Sequence, residues 1–386
     1  MKKLLMLGSG SPQSTLSIRL LALAKHMGDD WRITMILPSA DKYNNFTPDH
    51  SAAVAGARLV QPWQLTTRSP MLNLIPYIFT SLFEVLRARA DVVYLYKPTP
   101  ITVLGLLPRL LTHTRVVLDM DDLGSEVMKR EGQSAFAYGL VALCERLAMR
   151  WAHAVVVASS SLEASVRQKY PTKLVLVLPN GVESGDYQPV ARQPLRPNIY
   201  YFGAINSLDL IEDILRAVPD VVKAVPDAHI TIAGGGSALD DAKNLANALG
   251  VSKSVTFTGW INMLDAQKYT RYGDIAICYQ PDTPTVRAAS NMKVFQYMAM
   301  RSAVVVSNVG DLHTYVQDGQ AGVIVEPAHP ELLSGALVGL LQDNTRRAAI
   351  ADAGYALAQG EYSWQSRATS LSRFLRDHVA PKKERS

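Results

Sequence analysis

The feature that most constrains this chain is an alternation of short β-branched apolar runs with amphipathic stretches, broken once and then resumed. The runs at 4–7, 32–37, 92–96, 116–118, 154–158 and 175–178 read as strands, and the stretches near 15–27, 102–111 and 134–151 read as helices between them. Strands that are apolar on both faces need cover on both faces, so the switching period predicts a parallel sheet wrapped by helices. Periodicity stops at 179–198, where Pro and Gly cluster, and a linker is expected there.

The same pattern then restarts. Strands are expected at 199–202, 229–233, 255–258, 275–278, 304–307 and 323–325. Helices are expected near 211–224, from the Gly234-Gly235-Gly236 turn to 249, and at 291–300, 331–342, 345–359 and 364–379, ahead of a charged tail at 382–385. A chain of 386 residues suits two cores of ordinary size. The fold class expected is therefore α/β, with two doubly wound Rossmann-like domains at 1–185 and 186–360 and a closing segment at 361–386. The natural ligand position in such an arrangement is a cleft at the carboxyl ends of the strands.

Several classes are excluded or disfavoured. With 48% hydrophobic and 19% charged residues, the composition is that of a globular protein and not of a disordered one. Cys144 and Cys278 lie in apolar runs of different halves, which argues against a disulfide framework and for a reducing compartment. The apolar run at 4–7 is far short of a secretory core, and the stretches at 71–83 and 101–111 are shorter than the ~20 residues a spanning helix needs. The location expected is cytoplasmic, or peripheral at the inner membrane face.

Charge is unevenly placed. Residues 1–190 hold 20 Lys+Arg against 15 Asp+Glu, whereas 191–386 hold 19 against 19, so the whole net charge of +5 lies in the first half. A basic face there suits an anionic membrane or ligand, or is simply a solvated surface. The stretch at 71–86, with Leu72, Leu74, Ile75, Tyr77, Ile78, Phe79, Leu82 and Phe83, can serve as core or as an interfacial surface, and core is the expectation.

The segment 290–327 reads as loop, helix, strand, short helix, strand. Ser290 or Asn291 can cap a helix whose open N–H groups bind a phosphate, Lys293 adds a positive charge in the first turn, and Gln296 lies three residues further on near the same face. The plain alternative is a capped core helix with a solvated lysine. In the first half, Gly8-x-Gly10 lacks the third glycine of a dinucleotide fingerprint, and no acid directly ends the second strand. Asp119, Asp121, Asp122 and Glu126 follow a strand end, where acids cap helices and loops or do acid–base and electrostatic work. Lys97 in YLYKPTP could meet an anionic acceptor or sit beside its prolines at the surface. The histidines show no metal-ligand spacing.

The segment KVFQYMAMRSAVVVSNVGDL resembles the KxFEYMAxGxPVVxS signature of glycosyltransferase family four, whose members have the two-domain GT-B fold. LPNGVE at 178–183 is similar to the family's interdomain PNGVD, IYYFGAI at 199–205 to its opening strand and glycine turn, and HITIAGGGSALDDAKNLANALGVSKSVTFTGWI at 229–261 to its glycine-turn unit and FxG strand. YSW at 362–364 resembles the family's end, where a last helix returns to the first domain.

The resemblance implies transfer of a sugar from a nucleotide-sugar, usually with retention and without an essential metal or other cofactor. It assigns Gly203, Gly235, Gly236, Gly259, Ser290, Asn291, Met292, Lys293 and Gln296 to the donor, Gln296 standing on the glutamate that usually holds the ribose. Gly10 falls in the glycine loop near the reacting centre. Asp121 and Asp122 stand at the catalytic edge, with Asp122 and Glu126 on the acids of a DLWPE-type segment, and Lys97 and Glu126 are assigned to the acceptor. Asp119-x-Asp121 also resembles the metal-binding DxD of glycosyltransferases with a different fold.

The partners expected are a nucleotide-sugar and a glycan, lipid-linked or small-molecule acceptor, with no nucleic acid and with peripheral membrane contact through the first domain. Departures from the family pattern are Ala204 in place of the usual arginine, Ala288 in place of a glutamate, Gln296, and Thr314 in place of a frequent acid. Arg287 and Lys293 remain as replacement cations. These departures motivate an alternative, a GT-B protein that binds a glycan or supports a partner transferase without turnover. A nucleotide-sugar isomerase or a phosphorylase on the same fold is a third.

Overall fold

The computed structural model describes residues 1–12, 17–28, 30–38, 56–62, 74–106, 114–130, 132–187, 198–261 and 274–381. Seven parallel strands form the first sheet: β1 (Lys2–Leu7), β2 (Trp31–Ile36), β3 (Arg58–Val60), β4 (Val92–Tyr96), β5 (Arg115–Met120), β6 (Ala154–Val157) and β7 (Leu174–Val177). Their order is β3-β2-β1-β4-β5-β6-β7, so the winding reverses between β1 and β4. The helices described with it are α1 (Ile18–Met27), α2 (Leu74–Ala88), α3 (Gly124–Arg130), α4 (Ala135–Trp151) and α5 (Ser160–Lys169).

Side chains alternate across this sheet as the pleat requires. Leu4, Met6, Tyr94 and Tyr96 enter one core with α1, while Leu5, Leu7, Val93 and Leu95 enter another with α2 and α4. The first core is completed by the last helix of the chain, α13 (Trp364–Phe374), through Trp364, Leu371 and Phe374. Trp31 Nε1 donates to Ser372 Oγ at 3.0 Å across that contact.

The second sheet holds β8 (Ile199–Phe202), β9 (Ile230–Ala233), β10 (Val255–Gly259), β11 (Ile275–Cys278), β12 (Ala303–Ser307) and β13 (Val323–Val325), in the order β10-β9-β8-β11-β12-β13 and with reversal between β8 and β11. Between these strands run α6 (Glu212–Ala224), α7 (Leu239–Ala248), α8 (Pro284–Ala288), α9 (Met292–Ala299) and α10 (Leu312–Tyr315), followed by α11 (Pro330–Gln342) and α12 (Asn344–Gln359). In a doubly wound sheet the loops at the carboxyl ends of the two strands flanking the reversal open a crevice. They follow β1 and β4 in the first sheet and β8 and β11 in the second.

The chain divides into two compact units, Met1–Asn180 with Ala288–Ser290 and Trp364–Ser386, and Gly181–Arg287 with Asn291–Ser363. The short segment 288–290 was expected with the second half but groups with the first. The reason is local: Ala288 is buried in the core beneath α2 and α4, its carbonyl accepts from Ser159 Oγ at 2.7 Å, and Ser290 Oγ accepts from Asn180 N at 2.9 Å.

Two further differences are physical. The 102–111 stretch is described only as a 3-10 turn at Thr102–Leu106, the rest lying outside the described residues. Also outside them are 15 and 16 of the expected first helix, 13 and 14 of the glycine loop, 71–73, residues 188–197 of the linker and the 382–385 tail. The 71–86 stretch was expected as core, but α2 is two-faced: Tyr77 and Val85 are buried, while Ile75, Phe79, Phe83 and Leu86 are exposed. No described helix is long and apolar enough to cross a membrane.

Candidate functional site

In the first unit the loops at the reversal point carry a layered charge network. Asp119, near the end of β5, is fully buried and takes a bidentate ion pair from Arg19 of α1, Nε to Oδ2 at 2.8 Å and Nη2 to Oδ1 at 3.1 Å. Tyr94 OH donates to the same carboxylate at 2.6 Å. Burial pushes the Asp119 carboxyl above its ordinary range and Arg19 pulls it back. Arg19 also donates to Asn180 Oδ1 at 3.0 Å and to the Leu178 carbonyl at 2.9 Å. With both oxygens engaged and no exposure, Asp119 is not available as the first acid of a metal-binding DxD.

One step outward, Lys97 bridges Asp121 and Asp122, with Nζ 3.0 Å from Asp121 Oδ1 and 2.7 Å from Asp122 Oδ2. Burial opposes its charge, but the two carboxylates outweigh that and hold the ammonium well above the ordinary lysine range. Tyr96 OH donates to Asp121 Oδ2 at 2.6 Å. Lys97 sits at φ +55, a left-handed conformation rare for a residue with a side chain, and its carbonyl accepts from Thr102 Oγ1. The lysine expected to meet an anionic acceptor therefore spends its charge on Asp121 and Asp122.

Glu126 is exposed in the first turn of α3. Beside it the half-buried Glu145 of α4 receives both Ser125 N, at 3.0 Å, and Ser125 Oγ, at 2.6 Å. Burial raises Glu145, the Ser125 bonds lower it, and Asp122 and Glu126 raise it further. The glycine loop after β1 is tied at both ends: Tyr77 OH donates to the Gly8 carbonyl at 3.0 Å and Ser17 Oγ to the Gly10 carbonyl at 2.8 Å.

The second unit places two glycine turns against each other at the carboxyl ends of β8 and β9. Gly203 N donates to the Ala233 carbonyl, and Ile205 N to the Gly235 carbonyl, both at 2.9 Å. A side chain at Gly234 would collide with the Gly203 carbonyl, and one at Gly236, which lies at φ +148, with Ile205 and Asn206. A Cβ on Gly235 would lie 2.5 Å from Nε1 of Trp260, an indole 61% exposed at the end of β10. Gly259, at φ +74, turns the chain into that tryptophan.

At the head of α9, Lys293 folds over Gly203, where an added Cβ would strike its ammonium. Its Nζ lies 4.7 Å from the Tyr201 ring centroid and 3.3 Å from the Tyr201 hydroxyl. Asn291 is the cap: its side chain accepts from Lys293 N at 3.2 Å, which closes one of the amides expected to be open to a ligand. Met292 N remains in that first turn, and Val294 N bonds the Asn291 carbonyl at 3.3 Å.

Ser290 is neither the cap nor open. It is 6% exposed, its hydroxyl accepts from Asn180 N and its carbonyl from Asn180 Nδ2 at 2.9 Å, which sets it within the Arg19 network of the first unit. Gln296, expected at a ribose, is hydrogen-bonded to the buried Tyr187 hydroxyl. Arg287 is exposed and paired with Asp282 at 2.5 and 2.6 Å, so of the two replacement cations only Lys293 lies at the glycine turns.

Sequence reasoning missed Arg19, Tyr94, Tyr96, Asn180, Tyr187, Tyr201, Glu145 and Trp260. One signal was present: a charged residue within apolar surroundings, as in IRLLALA for Arg19 and VVLDM for Asp119, requires a partner.

The family model for group 1 glycosyl transferases matches residues 196–343, and that for the glycosyl transferase 4-like domain matches residues 15–181. An alpha-D-kanosaminyltransferase of Streptomyces kanamyceticus is 24% identical over 47% of this chain and 46% of its own length. A GDP-mannose-dependent alpha-(1-6)-phosphatidylinositol monomannoside mannosyltransferase of Mycobacterium tuberculosis is 24% identical over 53% of this chain and 57% of its own. The chain thus spans about half the length of the curated relatives it matches. Among solved structures, sucrose-phosphate synthase from Thermosynechococcus elongatus superposes with a TM-score of 0.74 at 16% identity, covering 97% of this chain and 98% of that one. Anabaena HepE in complex with UDP and glucose gives 0.72 at 14% identity, covering 97% and 100%.

Proposed function

The chain belongs to the group 1 glycosyltransferases and has the GT-B fold, and from that premise we propose that it transfers a sugar from a nucleotide-sugar to an acceptor hydroxyl. The observation that carries the reading is Lys293, whose ammonium lies over the Gly203 turn where the backbone comes close enough for a diphosphate to be gripped. In the transfer the bond from the anomeric carbon to the diphosphate oxygen breaks and its electron pair leaves with the nucleoside diphosphate. The acceptor oxygen forms the new bond, and its proton passes to the departing diphosphate oxygen. Lys293 stabilises the charge that develops on the departing diphosphate.

In this proposal the second unit holds the donor through Gly203, Gly235, Gly236, Gly259, Met292, Lys293 and Gln296, the last exchanging its Tyr187 bond for the ribose. The exposed Trp260 offers a face to the base. The first unit holds the acceptor at Asp121, Asp122 and Glu126, with Lys97 between the two aspartates and fixing them. Retention of anomeric configuration and transfer without a metal are part of the reading and rest on the family resemblance. So does a role in building an envelope or secreted glycan, a setting suggested by WaaG, a glycosyltransferase involved in lipopolysaccharide biosynthesis, at a TM-score of 0.66. Peripheral contact with a membrane surface through the first unit completes it.

The test is a panel of nucleotide-sugars, led by UDP-sugars because the HepE structures hold UDP, read by thermal shift and by release of nucleoside diphosphate with a pool of acceptors. One donor class should raise the melting temperature, and Lys293→Ala should abolish most of that rise. If no donor shifts the protein and none is turned over, the reading is lost. A second reading, binding without turnover, is favoured by Ala204 and by the engagement of Arg287 with Asp282, which leave one cation at the turns. A donor-dependent shift with no nucleoside diphosphate released would select it.

A further inference from the structure

The first unit carries a large apolar surface that none of the proposed chemistry uses. On α2, Ile75, Phe79, Phe83 and Leu86 are all exposed, Phe83 by 61%, and their spacing of four, four and three residues draws one stripe along the helix. On α4, Phe136, Leu140, Leu143 and Leu147 repeat the device at spacings of four, three and four, with Phe136 exposed by 78%. The opposite sides of both helices enter the same core, so both lie on one face of the sheet. The 3-10 turn at Thr102–Leu106 touches both helices, so it links them on that face. Isolated exposed hydrophobes are ordinary, but two such stripes on one face of a sheet are not.

The exposed charges carried by these two helices are basic. Arg87, Arg89, Arg146 and Arg150 are exposed at the carboxyl-terminal ends of the two helices, and Arg87 lies 6.0 Å from the Phe83 ring centroid. The acids on these helices are Glu84 and Glu145, and both turn inward, Glu84 to a bidentate bond with Arg58 and Glu145 to Ser125. Because α2 leads into β4 and α4 into β6, those arginines lie at the amino edge of the sheet. At that edge Lys3, Arg32, Arg58 and Arg87 line a cavity of about 420 Å³, and none of its lining residues is acidic.

We propose that the α2 and α4 stripes seat this protein on an anionic phospholipid surface, the phenylalanines entering the headgroup boundary while the arginines and the basic cavity hold lipid phosphates. Apolar burial and cationic attraction reinforce each other at such an interface. This deepens the membrane contact in the reading above and is independent of sugar transfer.

The test is co-sedimentation of the full chain with vesicles of phosphatidylcholine alone and of phosphatidylcholine with one third phosphatidylglycerol, at low and high salt. The expected result is partition onto anionic vesicles at least about tenfold above neutral ones, declining with salt. Phe79→Ser with Phe83→Ser, and separately Phe136→Ser, should each lower it about tenfold or more, since each phenylalanine carries a large apolar area into the interface. Arg87→Ala with Arg146→Ala should flatten the salt dependence. These side chains are exposed, so the melting temperatures should stay near that of the parent.

Equal binding to both vesicle types, or variants that bind like the parent, would overturn the proposal. So would light scattering showing a dimer that the phenylalanine pair dissociates, because the face would then meet a second copy of this chain. The donor-dependent thermal shift of the same variants separates the two readings: vesicle binding lost with that shift intact removes only docking, and the converse removes only transfer.

Discussion

Arg19 and Asp119 meet end to end in a fully desolvated ion pair, each at most 1% exposed, one hundred residues apart in sequence. Four of the guanidinium's N–H donors are engaged, two by the carboxylate and one each by Asn180 and the Leu178 carbonyl. Desolvation offsets much of the attraction in such a pair, so its removal as a unit costs far less than the loss of one partner. Asp119→Leu alone should therefore destabilise the protein by about 3–5 kcal/mol, and Arg19→Met with Asp119→Leu should recover a large part of that loss. Urea unfolding of the two single variants and the pair closes the cycle, and additive losses would show that the two side chains do not act together.

The Lys97 bridge makes a different prediction because it lies at the proposed acceptor edge. Lys97→Met removes the cation that holds Asp121 and Asp122 in place at that edge. Turnover should fall about 10- to 100-fold. The donor-dependent thermal shift should be unchanged, since the glycine turns and Lys293 belong to the other unit. A loss of donor binding in this variant would mean that Lys97 serves the donor and not the acceptor.

What the sequence revealed follows from which forces are local. The strands at 154–157 and 275–278 were legible because runs such as AVVV and IAIC, buried on both faces, have only one comfortable environment. The edge strand Arg58–Val60 was not, since three residues give no period. Asn291 was legible as a cap from its place before a helical run, whereas the engagement of Ser290 by Asn180 depends on where distant chain segments meet. The Arg19–Asp119 pair was announced by charges in apolar surroundings, but the partner is set by topology. The face of α2 was misread because apolar residues occur on both sides of that helix, and hydrophobicity does not say which side another element covers.

Neighbouring glycines should respond in opposite ways to the same substitution. At Gly234 an added methyl runs into the Gly203 carbonyl, a backbone atom held in the β8–β9 register, so Gly234→Ala should cost about 1–3 kcal/mol of stability. At Gly235 the obstacle is the indole of Trp260, the outer end of an exposed side chain that can swing aside. Gly235→Ala should leave the melting temperature close to the parent's while shifting the tryptophan emission and weakening the donor about tenfold through the displaced indole. Equal stability losses in the two variants would place the tryptophan in a rigid setting, and an unchanged donor affinity would remove Trp260 from the site.

Glu145 gives stability a pH dependence whose sign can be worked out. Burial first, then the neighbouring Asp122 and Glu126, raise its pKa in the folded protein, while the Ser125 bonds only partly oppose this. Below the ordinary glutamate range, near pH 4.3, the carboxyl is protonated whether the chain is folded or unfolded and contributes no difference. As the pH climbs above that value the unfolded chain ionises freely and the folded one resists, so folding stability is lost across this window. Above the folded pKa the loss is constant. Glu145→Gln keeps an acceptor for Ser125 N and a partner for Ser125 Oγ without the charge, so its stability relative to the parent should grow through that window and then level off. Melting curves of both proteins across the acidic range measure the difference directly. A difference that stays flat, or that grows in favour of the glutamate as the pH rises, would show that the Ser125 bonds outweigh burial and that the carboxylate is at home ionised.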